Sequence, residues 1–370
     1  MLIALGASGC RQREEYPANY REYAYISNGG SNTLTVLDLV NMRQDRVVAV
    51  GAGPSGLAVN PRRNEVYVAN TGSGTVSVIN AESNTVAATI QVQRQPYFID
   101  VDAEGKRAYV ANSGSNNVSV IDLGLRREIG VIGAGVGPGV ARIASDGNTV
   151  VITNRVSGSV SIADAESFKV RSSFDHCPGA TDAIILEDAS KAFIACSGGH
   201  QIMALGLAHA VPGEPPTSDV LLSMLDVGKT PVQITLKPDG GEAFVSNYDS
   251  DTVSEITTSS NEIGGAYLMG AHPIRGLVNA DNSLLYVSDS GAGRVVIYSI
   301  DDGKIIGSVK VGEGPDAMAF STTGHILLVV NAQSGDIAAI RTGATPPSLL
   351  TLFPAGRAPN DIVVKAFLGR

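Results

Sequence analysis

Histidine and cysteine cluster in one short region of the chain. The stretch FDHCPGATD, residues 174–182, contains His176, Cys177 and Asp182, and the stretch ACSGGH, residues 195–200, adds Cys196 and His200. Imidazole and thiolate are ligands that zinc and copper prefer, and an exposed histidine can ligate haem iron. The two cysteines could instead form a disulfide, or all five could be ordinary loop residues. The spacing matches no established metal motif, so these three interpretations stay open.

A strict repeat determines where this cluster lies. The run YVANTGSGTVSVIN at 67–80 returns as YVANSGSNNVSVID at 109–122, and the residue that ends each YVAN-like run recurs every 42 residues. One interval is 51 residues long because it carries an insertion near 208–218. We call the recurring residues anchors; they are Asn28, Asn70, Asn112, Asn154, Cys196, Asn247, Asp289 and Asn331.

Each repeat has the pattern of four short strands. A proline usually stands 16 residues before the anchor and introduces an apolar strand, and a second strand ends at the anchor. An alternating run such as VSVI begins about six residues later, and a final run such as TVAATI closes the unit. Four antiparallel strands in about 40 to 45 residues are typical of a propeller blade. The sequence therefore predicts an all-β fold, an eight-bladed β-propeller of four-stranded antiparallel blades.

The two ends of the chain predict how the ring closes. The first anchor, Asn28, has no proline strand before it, whereas the last repeat is followed by an additional one, APNDIVVKAF, that opens at Pro359. We expect this C-terminal strand to complete the first blade and so to remove a free sheet edge. The predicted division is a signal remnant and linker at 1–23, followed by a single propeller domain at 24–370.

The stretch YVANTGSGTVSVINAESNTVAATI, residues 67–90, resembles the YVTN repeat family. Relatives of that family include archaeal surface-layer proteins, exported bacterial propellers and, more distantly, the eight-bladed haem-binding domain of dihaem nitrite reductase. The resemblance covers residues 24 to about 367. It implies the propeller fold, and it transfers no catalytic residue because the family motif is structural.

Function is expected on one rim of the ring. The loops after the anchors and the loops that hold the prolines lie on the same face, where propellers normally collect binding residues. We predict no catalytic residue, since the sequence has neither a nucleophile elbow nor a paired metal motif. The predicted ligand-binding rim consists of Tyr97, Phe98, His176, Asp182, His200, Tyr248, Asp249, His272, Arg275, Asp316, Asn360 and Asp361.

The first residues predict export. The stretch MLIALGASGC resembles the end of a bacterial lipoprotein signal, in which Cys10 would become the acylated first residue. This predicts a lipid-anchored periplasmic or cell-surface protein, a setting in which Cys177 and Cys196 could form a disulfide.

The net charge of the chain limits the classes of partner that it is expected to bind. The 27 basic and 36 acidic side chains give a net charge of −9, which disfavours nucleic acid and anionic membrane surfaces. The leading hypothesis is a binding or scaffolding module for an envelope protein, a glycan or a small ligand, with membrane contact only through the lipid anchor. No cofactor is predicted. The alternatives are a redox propeller that binds haem or a transition metal through the histidine and cysteine cluster, and a lactonase-type hydrolase.

Overall fold

The computed structural model describes residues 16–208 and 217–369 and confirms the eight-bladed propeller. The first half of the chain forms β1 (Tyr20–Asn28), β2 (Thr33–Asp38), β3 (Arg43–Ala49), β4 (Pro54–Val59), β5 (Glu65–Asn70), β6 (Thr75–Asn80), β7 (Thr85–Gln91), β8 (Pro96–Val101), β9 (Arg107–Asn112), β10 (Asn117–Asp122), β11 (Arg127–Gly133), β12 (Pro138–Ile143), β13 (Thr149–Asn154), β14 (Ser159–Asp164), β15 (Lys169–Phe174) and β16 (Ala180–Ile185). The second half forms β17 (Lys191–Cys196), β18 (Gln201–Gly206), β19 (Val220–Asp226), β20 (Pro231–Leu236), β21 (Glu242–Asn247), β22 (Thr252–Thr257), β23 (Glu262–Leu268), β24 (Pro273–Val278), β25 (Leu284–Asp289), β26 (Arg294–Ser299), β27 (Lys304–Lys310), β28 (Pro315–Phe320), β29 (Ile326–Asn331), β30 (Asp336–Arg341), β31 (Ser348–Pro354) and β32 (Pro359–Leu368).

Helix is almost absent from the described residues. It is limited to one 3-10 turn at Tyr248–Ser250. Nothing in the described part of the chain forms a helix with the length and apolar character needed to span a bilayer. The predicted lipidation site Cys10, the insertion residue His209 and the body of the insertion at 209–216 lie outside the described residues.

Seven blades are built from four consecutive strands, and one blade combines both ends of the chain. Blade 2 holds β4–β7, and the series continues to blade 8 with β28–β31. Blade 1 has the order β3-β2-β1-β32, and β32 pairs with β1 in antiparallel register from Tyr20 opposite Leu368 to Asn28 opposite Pro359. The predicted closure by the C-terminal strand is therefore confirmed.

Neighbouring blades are held together by apolar wedges. Each pair of adjacent blades shares a buried cluster, for example Tyr67, Val78 and Ile90 of blade 2 with Ile99 and Val110 of blade 3. Similar clusters lie between the remaining neighbours around the ring. Because β-branched residues point to both faces of each middle strand, every blade contributes to two wedges.

The anchors hold the turn that follows them. Asn154 is fully buried, and its Nδ2 donates hydrogen bonds to Ser159 and Ser161 at 3.2 and 2.9 Å. Its Oδ1 accepts the backbone N–H of Gly135 in the preceding proline loop at 2.9 Å. The strand after each anchor begins five residues past it, one residue before the predicted apolar run, because that first residue already pairs with the anchor across the two strands.

The two unusual anchors have partners of matching chemistry. Asp289 is fully buried, and its Oδ2 accepts a charge-assisted hydrogen bond from Nε of Arg294 at 2.7 Å. Cys196 forms a disulfide with Cys177. Where another residue replaces the anchor asparagine, a second residue nearby has therefore also changed, and it supplies a bonding partner for the buried side chain.

We expect Asn154→Ala to lower the free energy of unfolding by about 2 kcal/mol, since it removes three hydrogen bonds and leaves the half-buried Gly135 N–H without its acceptor. The exposed Asn148→Ala is the control and should change this free energy by less than about 0.5 kcal/mol. Urea titration followed by circular dichroism measures both values. Equal values for the two variants would contradict a structural role for the anchor.

Candidate functional site

The innermost strands of the eight blades line the central channel. They are β4, β8, β12, β16, β20, β24, β28 and β32, and each starts at the face that carries the anchor loops. That face is built as predicted: the anchor loop at Thr71 and Gly72 donates backbone hydrogen bonds to the proline loop at Gly53 and Ala52, and the other blades repeat this pairing. We call it the anchor face.

Polar side chains join neighbouring inner strands. An inner strand has an unpaired edge towards the channel, so its backbone N–H groups need acceptors. A side chain from the preceding blade supplies one in several places. These contacts are Asp361 Oδ2 with Leu57 N at 2.9 Å, Asp100 Oδ2 with Ile143 N at 3.2 Å, Asp182 Oδ2 with Ile234 N at 3.0 Å, and Gln233 Oε1 with Gly276 N at 2.9 Å.

Arg275 extends from β24 into a group of carboxylates. Its Nε donates to Asp316 Oδ1 at 2.9 Å. Burial lowers the pKa of Arg275, but the carboxylates of Asp316, Asp361 and Asp182 outweigh that effect and raise it. Burial raises the pKa of Asp361, and Arg275 opposes that rise. The guanidinium therefore stays charged and is held in a fixed position.

Arg142 is held in a comparable way from β12. Its Nε donates to the Ala183 carbonyl at 2.6 Å, and its Nη2 lies 3.5 Å from Asp182 Oδ1. The guanidinium carbon lies 4.9 Å from the centre of the Phe98 ring, a cation–π contact. Burial raises the pKa of Asp100, and the charge of Arg142 opposes that rise.

These side chains enclose a cavity at the anchor face, which we call the mouth cavity. Its volume is about 400 Å³, and its lining includes Tyr97, Phe98, Arg142, Arg275 and Asp361. Tyr97 is 50% exposed and is the most accessible aromatic side chain in the lining. The cavity combines two fixed guanidinium groups, an open aromatic ring and carboxylates that already accept hydrogen bonds from the backbone.

A second cavity opens on the opposite face. Its volume is about 390 Å³, and Asp100 and Arg142 line it together with Pro61, Ser145 and Glu187. Asp100 and Arg142, together with Val59 and Val101, belong to both linings, so the two cavities adjoin within the channel. Of the two, the mouth cavity holds the aromatic residues and Arg275.

The predicted histidines lie on loops of the anchor face and do not line the mouth cavity. The His272 ring stacks on Tyr248 with 4.4 Å between ring centres. His272 Nδ1 lies 3.1 Å from the Tyr248 carbonyl oxygen, which can only accept, so Nδ1 carries a hydrogen; in the neutral imidazole Nε2 then holds the lone pair. His200 is the reverse case, because its Nδ1 accepts the backbone N–H of Thr230 at 3.2 Å. Thr230 Oγ1 donates to Asp249.

All three predicted histidines stand at positions with a left-handed backbone conformation. His200 has φ of 55° and His272 has φ of 57°, and these turn positions hold glycine or asparagine in several other blades. His176 is exposed, with φ of 70°, directly before the disulfide. The three imidazoles stand on three different loops, and no group of three or more His, Cys, Asp or Glu side chains suited to hold a metal occurs in residues 16–208 and 217–369.

The disulfide replaces a repeated contact between glycine and anchor. In blade 2, Gly51 lies 19 residues before Asn70, and a Cβ placed on Gly51 would be 2.6 Å from Asn70 Cγ. Cys177 stands the same 19 residues before its anchor Cys196, and their Cα atoms are 4.6 Å apart. Both cysteines are fully buried. In most other blades glycine allows the proline loop to approach the anchor this closely, whereas in blade 5 the same short distance allows the disulfide to form.

Known proteins support the fold. No family model and no curated protein matches this chain. Among solved structures, the chain is similar to NirN, a dihydro-haem d1 dehydrogenase in complex with DHE (TM-score 0.74, 13% identity, 95% of this chain and 76% of that one). It is also similar to AztD from Citrobacter koseri (0.68, 13%, 95% and 99%) and to hydrazine synthase from Kuenenia stuttgartiensis (0.58, 21%, 86% and 92%). At these identities the likeness shows the fold alone.

The predicted rim residues divide into two groups. The structure brings Tyr97, Phe98, Arg275, Asn360 and Asp361 to one cavity, with Asp182 and Asp316 bound to its two arginines. It leaves His176, His200, Tyr248, Asp249 and His272 on the loops outside the lining of that cavity. The sequence analysis missed Asp100 and Arg142. Both are charged residues at the fifth position of an otherwise mainly apolar inner strand, one repeat apart, and that signal could have identified them.

Proposed function

We propose that the protein is an exported, lipid-anchored binding module of the cell envelope and that it binds a small ligand, or the end of a glycan, in the mouth cavity. The observation that carries the proposal is the pair of guanidinium groups, Arg142 and Arg275, held beside the open ring of Tyr97. A volume of about 400 Å³ lies in the range of small-molecule sites.

The fixed geometry favours binding over turnover. The two oxygens of Asp361 accept backbone N–H groups from Leu57 and Ile362, and those of Asp100 accept from Ile143 and Val101. Carboxylates committed in this way hold the blades together and are poor candidates for proton transfer. Arginines whose Nε is already bonded lose little further freedom when a ligand binds, so recognition has a small entropic cost.

Two observations support the envelope location. The buried disulfide between Cys177 and Cys196 is typical of proteins that fold in an oxidising compartment. The stretch before Cys10 resembles a lipoprotein signal. The resemblance to YVTN-repeat proteins, many of which are exported, agrees with this location.

The binding of a cofactor by a histidine of the anchor face, outside the mouth cavity, is a second candidate function. Its support is His272, whose Nδ1–H is held by a backbone carbonyl so that the Nε2 lone pair is oriented in advance. A group that needs one imidazole ligand, such as haem, fits this side chain, and bound haem would supply redox chemistry. A metal that needs several protein ligands does not fit, because Cys177 and Cys196 are bonded to each other and His200 Nδ1 already accepts a hydrogen bond.

Native mass spectrometry of protein mixed with a small-molecule extract of its own envelope fraction tests both candidates. We expect a one-to-one adduct whose affinity falls about tenfold in Tyr97→Ala and stays unchanged in Tyr248→Ala, which removes an aromatic ring outside the cavity. An adduct lost in Tyr248→Ala and His272→Ala, together with a visible absorption band, would support the rim cofactor. No adduct with the wild-type protein would contradict both proposals.

A further inference from the structure

The outer walls of the blades differ in polarity around the ring. The outermost strand of blade 1, β3, begins with the polar run Arg43–Arg46. Blades 7 and 8 instead present large aliphatic side chains that are 39–48% exposed. We call this surface the apolar wall; it consists of Ile305 and Ile306 on β27 and Leu349, Leu350 and Leu352 on β31. The two strands are neighbours in space, so the five side chains belong to one region.

The described chain begins beside this wall. A groove of about 1280 Å³ between blades 8 and 1 is lined by Leu350 and by Tyr16, the first described residue. Arg21 and Arg341 line the same groove. The chain therefore enters the propeller at the edge of the apolar wall, next to two basic side chains.

A lipid on Cys10 would hold the groove and the adjoining apolar wall close to a bilayer. Five residues lie between Cys10 and Tyr16, and the six steps from one Cα to the next span at most about 22 Å even when fully extended. An acyl chain that is attached to Cys10 and inserted into the bilayer thus keeps the groove, and the wall beside it, within the length of this segment from the lipid headgroups.

We propose that the apolar wall of blades 7 and 8 lies against the lipid bilayer when the chain is anchored through Cys10. The proposal rests on the lipid anchoring proposed above and is independent of the ligand in the mouth cavity. The aliphatic side chains enter the headgroup boundary, and Arg21 and Arg341 meet the phosphates. The net charge of −9 opposes recruitment by charge alone, so the contact depends on the tether and on apolar burial.

The chain contains no tryptophan, so single-tryptophan variants report orientation without background. The probe is Leu350→Trp. The matched control is Leu221→Trp on β19 of blade 5, three blades away in an equally aliphatic run and 49% exposed before substitution. The full chain is coupled through the Cys10 thiol to a maleimide-headgroup lipid in phosphatidylcholine vesicles, while Cys177 and Cys196 stay protected in their disulfide. Acyl-chain nitroxides serve as quenchers.

We expect the nitroxides to quench Leu350→Trp at least about twofold and Leu221→Trp hardly at all. Adding Leu349→Asn and Leu352→Asn to the probe variant should reduce the quenching. Equal quenching of probe and control, or quenching of neither, would overturn the proposal. Dimerisation of the tethered chain that shields Leu350→Trp from lipid would also overturn it, in favour of an interface between copies.

The same design separates this proposal from the lipid anchor. Coupling in vitro supplies the tether whether or not a cell acylates Cys10. Acylation itself is tested by metabolic labelling with a fatty acid, with Cys10→Ser as the control. Absence of label with clear quenching of the probe would refute the natural anchor and leave the membrane-facing property of the wall intact.

Discussion

Deletion of residues 359–370 is expected to prevent the protein from folding to a monomeric propeller. The deletion removes β32, which pairs with β1 along nine residues and is the inner strand of blade 1. It also removes Ile362 from the wedge between blades 8 and 1, and Val363 and Phe367 from the wedge between blades 1 and 2. The combined loss is comparable with the whole stability of a domain, about 5–15 kcal/mol.

Closure is the reason that so few residues have so large an effect. Without β32, strand β1 exposes a row of unpaired backbone groups, and Leu57 N loses the carboxylate of Asp361. Such an open edge pairs readily with other chains. We therefore expect aggregates in size-exclusion chromatography and no cooperative thermal transition.

Two controls accompany this deletion. Removal of residues 1–15 should leave the transition unchanged, since β1 begins at Tyr20. A synthetic peptide of residues 357–369 should restore the fold of the truncated chain by strand addition. A truncated chain that is monomeric and unfolds near the wild-type temperature would show that the ring does not depend on its last strand.

Loss of the disulfide is expected to have the second-largest effect. Replacing both Cys177 and Cys196 by alanine should lower the free energy of unfolding by about 3 kcal/mol, because the bond closes a loop of 19 residues. The alanines also leave space in the wedge between blades 4 and 5, where both sulfur atoms are buried. Urea titration with and without a reducing agent measures the effect.

A comparison among variants separates the contribution of the disulfide to stability from the other effects of the substitutions. Reductant should destabilise the wild-type protein and Cys10→Ser equally and should leave the double-alanine variant unchanged. The pair Cys177→Gly with Cys196→Asn copies the other blades, yet it should not recover the lost stability, because Met203 stands where they place a hydroxyl for the anchor amide. Insensitivity of the wild-type protein to reductant would contradict a stabilising disulfide.

The fold could be predicted because it is written as a repeat. A 42-residue period, a proline at seven of the eight inner strands and an alternating run after each anchor specify the blades locally, and the unmatched strand at Pro359 specifies closure. The disulfide was one of several interpretations of the sequence. The glycine that stands 19 residues before other anchors, such as Gly51 before Asn70, marks a close approach and could have decided it.

The channel was harder to predict because its contacts cross blades. Locally, Asp100 and Arg142 appear only as charges within mainly apolar strands. The electrostatic interaction between them joins two adjacent blades, and the sequence gives no distance between those blades. The rim histidines show a different limit: residue type grouped them with the other loop residues, whereas the structure places them on three separate loops and outside the lining of the mouth cavity. Residue type alone could not separate the loop residues that line the cavity from those that do not.

The pairing of the two chain ends fixes which way the molecule faces. Asn19 and Gly369 exchange hydrogen bonds, with Asn19 Nδ2 on the Gly369 carbonyl at 2.9 Å and Gly369 N on the Asn19 carbonyl at 2.7 Å. Strand β1 runs from this point towards the anchor face, so both ends leave the fold on the far side from Tyr97 and Arg275. The mouth cavity therefore opens on the face opposite the point where Asn19 and Gly369 meet, so a label or a fused protein attached at that point leaves the cavity unobstructed.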